Sequence, residues 1–138
     1  MKLNTILGVF SVIAAGDGVV AMLAPGPFAN LIWPDRLAPE AHLFVQGWGA
    51  CLLAFSVLAA TARRLTDPAA RRAYASILFI YHGTAAIVWA VDAAVRGWTP
   101  LSVASLVGLV LFALAFGWFR FANSQSISED VRTARTAA

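Results

Sequence analysis

Four long apolar runs organise the chain, at positions 5–24, 41–62, 75–95 and 101–119. Their lengths are 20, 22, 21 and 19 residues. A helix rising ~1.5 Å per residue needs about 20 residues to cross ~30 Å of hydrocarbon. Barrel strands would be about half that length and would alternate in polarity, which these runs do not. The pattern predicts an all-α, integral membrane four-helix bundle over residues 1–121, followed by a polar cytoplasmic tail at 122–138.

The connections carry helix-boundary chemistry. Asp67-Pro68 reads as an N-cap followed by proline at the first helical position. The third helix is therefore expected to begin before its apolar run, with Arg71 and Arg72 on cytoplasmic turns. Thr99-Pro100 repeats the signal for the fourth helix, and Pro39-Glu40 opens the second, its acid suiting the positive end of the helix dipole. Pro25-Gly26-Pro27 ends the first. The apolar stretch after it, with Phe28, Leu31, Ile32 and Trp33, reads as a short interfacial helix. Lys2 and the run behind it resemble a signal peptide. Asp17 interrupts that run and its length exceeds the usual apolar region, so it is taken as a retained helix.

Composition narrows the function classes. Hydrophobic residues make up 60% and charged residues 12%, with mean hydropathy +0.75. Those values exclude a soluble enzyme, a disordered chain and a nucleic-acid-binding domain. The net charge of +3 comes from basic residues placed between apolar runs, which is an orientation signal, not a phosphate-binding one. Cys51, the single cysteine, builds neither a disulfide framework nor a zinc site.

With four crossings, Lys2, Arg63, Arg64, Arg71, Arg72, Arg120, Arg132 and Arg135 fall on one side and Arg36 and Arg96 on the other, eight against two. The positive-inside rule then predicts cytoplasmic N and C termini, with the arginine-rich middle loop on the same side. Trp33 and Trp98 fall at the outer interface, where an aromatic belt is expected. The bias also argues against a dual-topology multidrug transporter, a four-helix class with an acid in its first helix.

Candidate chemistry lies in the polar residues of the apolar runs. A charge at the bilayer centre costs roughly 2.5–3.5 kcal/mol, so such groups face protein or water. Asp17, Gln46, Trp48, Trp89 and Asp92, with His42 at the rim, are expected to converge in the outer half of the bundle. His82 lies nearer the cytoplasmic side. His82, Ala85, Ala86, Trp89 and Asp92 form one helical stripe, as do His42, Gln46, Gly49, Ala50 and Leu53. Asn4, Gly8, Ser11, Ala15 and Gly18 form a stripe of small and polar residues that lets helices approach. Each candidate also has a purely structural role open to it. Asp17 and Gln46 can bond a neighbouring helix, His82 a backbone carbonyl, and Asp92 can pair with Arg96 one turn on.

No cofactor or metal site is expected. His42 and His82 sit ~20 Å apart along the membrane normal, too far to share a haem iron. No His/Glu spacing suggests zinc or di-iron, and there is no Gly-rich phosphate loop or Ser-His-Asp set.

Several features together resemble the small four-helix bacterial membrane proteins of the DoxX-like group. They are Leu23-Ala24-Pro25, the Gly47–Gly49 segment, the loop from Ala62-Arg63-Arg64 to Asp67-Pro68-Ala69-Ala70-Arg71-Arg72, and His82. The resemblance implies a fold more than an activity. Such proteins often carry an arginine before the glycine of the second helix, where this chain has Gln46.

Two functions follow. One is an accessory or interaction subunit of the inner membrane, partnered by lipids and by another membrane protein or further copies of itself. The other is a binder or isomerase-type enzyme for a lipophilic small molecule, with Asp17, Gln46, Trp48, His82, Trp89 and Asp92 as the candidate pocket. For that second function, Asp17 and Asp92 must face a pocket and not lipid.

Overall fold

The computed structural model describes residues 3–33 and 41–121. They form α1 (Leu3–Leu23), α2 (Pro25–Ile32), α3 (His42–Ala62), α4 (Pro68–Arg96) and α5 (Pro100–Phe121), with no strand among the described residues. α1, α3, α4 and α5 are each long and apolar enough to cross a membrane. The expected all-α class and four long apolar helices are therefore present. The expected start of the second helix at Pro39-Glu40 and the 122–138 tail lie outside the described residues.

Local chemistry sets the helix ends. The backbone breaks at Ala24, and Pro25 opens α2 where a missing N–H costs nothing. The eight-residue α2 buries Phe28, Ala29 and Ile32. α4 begins seven residues ahead of its apolar run, as the Asp67-Pro68 signal predicts. The Asp67 carboxylate accepts from the backbone N–H of Ala69 at 3.0 Å and of Ala70 at 3.2 Å. α4 stops at Gly97, whose φ of 97° favours glycine and whose N–H bonds back to Ala93. α5 has a reciprocal cap. The Ser102 N–H donates to Thr99 Oγ1 at 3.0 Å, and the Thr99 N–H donates to Ser102 Oγ at 2.8 Å.

The chain divides into two compact units, Leu7–Thr61 and Met1–Ile6 with Ala62–Ala138. In the first, α1 and α3 touch through small residues. Ser56 Oγ donates to the Ser11 carbonyl at 2.8 Å, and Ser11 Oγ donates to the Ser56 carbonyl at 3.0 Å. Two turns along, Gly18 faces Gly49. The pairing advances seven residues in α1 while retreating seven in α3, so the helices run antiparallel. A Cβ on Gly18 would lie 2.8 Å from the Gly49 carbonyl oxygen, closer than any side chain tolerates. Glycine is thus what allows this approach, and it extends the predicted stripe of α1 into a real helix contact.

In the second unit α4 packs antiparallel to α5. Phe79 meets Phe121 and the space beside Gly117, and His82 meets Phe112 and Phe116. The buried face of α4 is Arg71, Ala75, Leu78, His82, Ala86 and Ala93, spaced at helical intervals.

Candidate functional site

Asp17, Gln46 and Trp48 belong to the Leu7–Thr61 unit, and His82, Trp89 and Asp92 belong to the other.

In the first unit the α1–α3 contact line runs through Ser11 and Gly18, and through Gly49 and Ser56. Asp17 and Trp48 each precede a contact glycine by one residue. At 100° per residue they therefore fall on the same flank of the antiparallel pair. They differ in level by about two residues, or ~3 Å. Gln46 falls on the opposite flank, where its Nε2 donates to the Met22 carbonyl at 3.2 Å. It acts as the interhelical tie anticipated for it. Trp48 is half-buried and collects two further aromatics, with ring centroids 5.7 Å from Phe28 and 6.4 Å from Trp33. Sequence reasoning placed Trp33 in an interfacial belt and did not join it to Trp48. The proline break at Ala24, which folds α2 back, is the signal that could have done so.

Asp17 differs from the rest. It is exposed, and its neighbours on the same helical face, Ile13 and Val20, are exposed apolar residues. Among the described residues its carboxylate has no hydrogen-bond or ion-pair partner. Gly16 beside it has open space where a side chain would stand.

In the second unit His82 is 1% exposed. Its Nδ1 lies 2.6 Å from the Leu78 carbonyl oxygen. A carbonyl only accepts, so Nδ1 carries the proton and donates it. Tyr81, Phe112 and Phe116 surround the ring at centroid distances of 5.1, 5.3 and 5.5 Å. His82 is thus a satisfied core histidine. Asp92 Oδ1 lies 2.7 Å from Arg96 Nε, the ion pair expected from the i,i+4 spacing, and Trp89 is half-buried one turn before it. His82 and Asp92 are ten residues apart on one helix, ~15 Å along its axis, so they form no local cluster.

Arg71 was not anticipated. Counted in the sequence as a cytoplasmic charge, it is 1% exposed, and its Nη2 donates to Asn4 Oδ1 at 2.6 Å. The bond ties the first turn of α1 to α4 within one unit. The signal was available: stepping back from His82 by four, three and four residues passes Leu78 and Ala75 and reaches Arg71.

Among the described residues no three His, Cys, Asp or Glu side chains gather as a metal site. Comparison of the chain with family models, curated proteins and solved structures found no match.

Proposed function

We propose that the chain is a small multi-pass subunit of the bacterial inner membrane, crossing four times with both termini cytoplasmic. In this reading it works by contact with other membrane protein and not by chemistry of its own. The observation that carries this is the contrast between Asp17 and the other candidates. Gln46, His82 and Asp92 each make a bond inside the chain, whereas the Asp17 carboxylate is exposed within an apolar helix. A carboxylate left to hydrocarbon costs roughly 2.5–3.5 kcal/mol, and a partner helix that offers a donor removes that cost. The open space at Gly16 lets such a helix approach.

The test is a photocrosslinking residue at Ile13, one turn from Asp17, activated in native membranes. The reading expects a discrete protein adduct. Adducts to lipid alone would refute it. Orientation is tested apart, by a reporter fused after Ala138 that should be active only in the cytoplasm.

A second reading, binding of a lipophilic small molecule, has the shared flank of Asp17 and Trp48 in its favour, but Asp17 is exposed between the exposed Ile13 and Val20 and not enclosed as that reading requires. A carboxylate beside a tryptophan carrying Phe28 and Trp33 suits a lipophilic cation. Asp92 is held by Arg96, which leaves this reading one free acid and favours a binder over an isomerase. A small-molecule adduct from the same crosslinker would favour it over the first.

A further inference from the structure

We infer that the arginine-rich end of the Ala62–Ala138 unit is a binding site for the phosphate headgroup of an anionic phospholipid.

Four arginines carry the inference. Arg63 and Arg64 follow the last residue of α3 and are exposed. Arg72 stands on the first turns of α4, half-buried. Arg120 lies on the last turn of α5, exposed, with its guanidinium 5.3 Å from the Phe121 ring centroid. The antiparallel packing of α4 on α5 brings Arg120 to this same end. Phe79 lies against both Gly117 and Phe121, so Arg120 falls beside the third turn of α4, within ~8 Å of Arg72 along the helix axis. Only three residues, Leu65 to Asp67, separate Arg64 from the first residue of α4.

This charge is not neutralised within the described part of the unit. Its two acids are Asp67 and Asp92. Asp67 directs its carboxylate to the α4 cap, and Asp92 is paired with Arg96 at the opposite end of α4. Arg71 is a fifth arginine here, but it is buried and bonded to Asn4, so it adds field and not a contact.

A second observation concerns Arg72 itself. Among the described residues its Nε has no hydrogen-bond acceptor, and it is closed off from solvent, so a phosphate reaches it only once the side chain turns outward. A buried guanidinium donor without an acceptor is unfavourable, and the paired oxygens of a phosphate suit the planar fork of arginine donors. The third observation points to a lipid as the source of the phosphate. From this end an exposed apolar stripe runs along α4 through Ile77, Ile80, Ile87, Val88, Val91 and Val95. Acyl chains hanging from a headgroup at Arg72 would lie along it. A free anion gains nothing from that stripe.

The experiment measures lipid binding to the full chain in neutral detergent, by native mass spectrometry. The probes are phosphatidylglycerol and phosphatidylcholine with identical acyl chains, with and without inorganic phosphate. Each arginine near an anionic headgroup contributes about fivefold in affinity. Phosphatidylglycerol is expected to bind at least tenfold tighter than phosphatidylcholine. Arg63→Gln with Arg64→Gln should lose most of that preference, and these exposed positions leave folding intact. Arg72→Lys, which keeps the charge but removes the Nε donor, should weaken phosphatidylglycerol binding while sparing phosphatidylcholine. Arg96→Gln, at the far end, should change nothing. Equal affinity for the two lipids would overturn the inference, as would a preference indifferent to Arg63, Arg64 and Arg72. Displacement by inorganic phosphate at the lipid's own concentration would overturn the assignment to a lipid.

Discussion

Four glycines on two helices should respond to the same substitution with opposite signs. Gly18 and Gly49 form the closest approach of α1 and α3. A Cβ on Gly18 would stand 2.8 Å from the Gly49 carbonyl oxygen and 2.9 Å from Leu53 Cγ. A Cβ on Gly49 would stand 2.9 Å from both the Ala21 Cβ and the Gly18 carbonyl oxygen. Carbon and oxygen rest comfortably at about 3.3–3.6 Å, so the helices must part by about half an ångström. Because the obstacle is backbone, no rotamer change relieves it. Overpacking of this kind costs ~1–3 kcal/mol. Gly16 and Gly47, on the same helices, have nothing within 4 Å. There alanine gains helix propensity of up to ~1 kcal/mol. Gly18→Ala and Gly16→Ala should therefore differ by ~1–4 kcal/mol, two residues apart in one helix. The double variant Gly18→Ala/Gly49→Ala should cost less than the sum of the singles, since one separation of the helices relieves both. Equilibrium unfolding in mixed micelles of mild detergent and dodecyl sulfate, followed by tryptophan fluorescence, measures the series. Equal stability of Gly18→Ala and Gly16→Ala would refute the close approach.

Three further outcomes follow from single contacts. Asn4→Ala removes one acceptor of the buried Arg71 guanidinium and should cost ~1.5–3 kcal/mol in the same unfolding assay. Asp67→Ala abolishes both cap bonds of α4 and should cost ~1 kcal/mol, with faster amide hydrogen exchange confined to the first turn of that helix. Asp92→Asn breaks the partly exposed i,i+4 ion pair with Arg96, whose loss should itself cost no more than ~0.5 kcal/mol in that assay.

The long helices were legible because length and apolarity are properties of the sequence itself. So were their ends at Asp67 and Thr99, where a polar residue before proline leaves few alternatives. The Asp92–Arg96 pair was legible for a similar reason, since four residues on a helix fix the distance. Arg71 was not, because position at the edge of an apolar run does not distinguish a solvated arginine from a buried one. That depends on Asn4, dozens of residues earlier in the chain. The Phe28–Trp33–Trp48 group depends likewise on how α2 turns after Ala24. The small-residue stripe of α1 was visible in sequence, but its partner residues Gly49 and Ser56 become identifiable only once the antiparallel register is known.

The proposal of a contact subunit rests on Asp17, and assembly size in native membranes tests it most directly. Membranes bearing the wild-type chain or Asp17→Leu are solubilised in mild detergent and resolved by native electrophoresis, with total chain and membrane insertion measured in parallel. The account predicts that the wild type migrates in a discrete assembly well above its 14.6 kDa monomer mass. Asp17→Leu should insert equally well, its carboxylate being exposed and unbonded in the chain, yet migrate as the monomer. An assembly of the same size and abundance in both would contradict the claim.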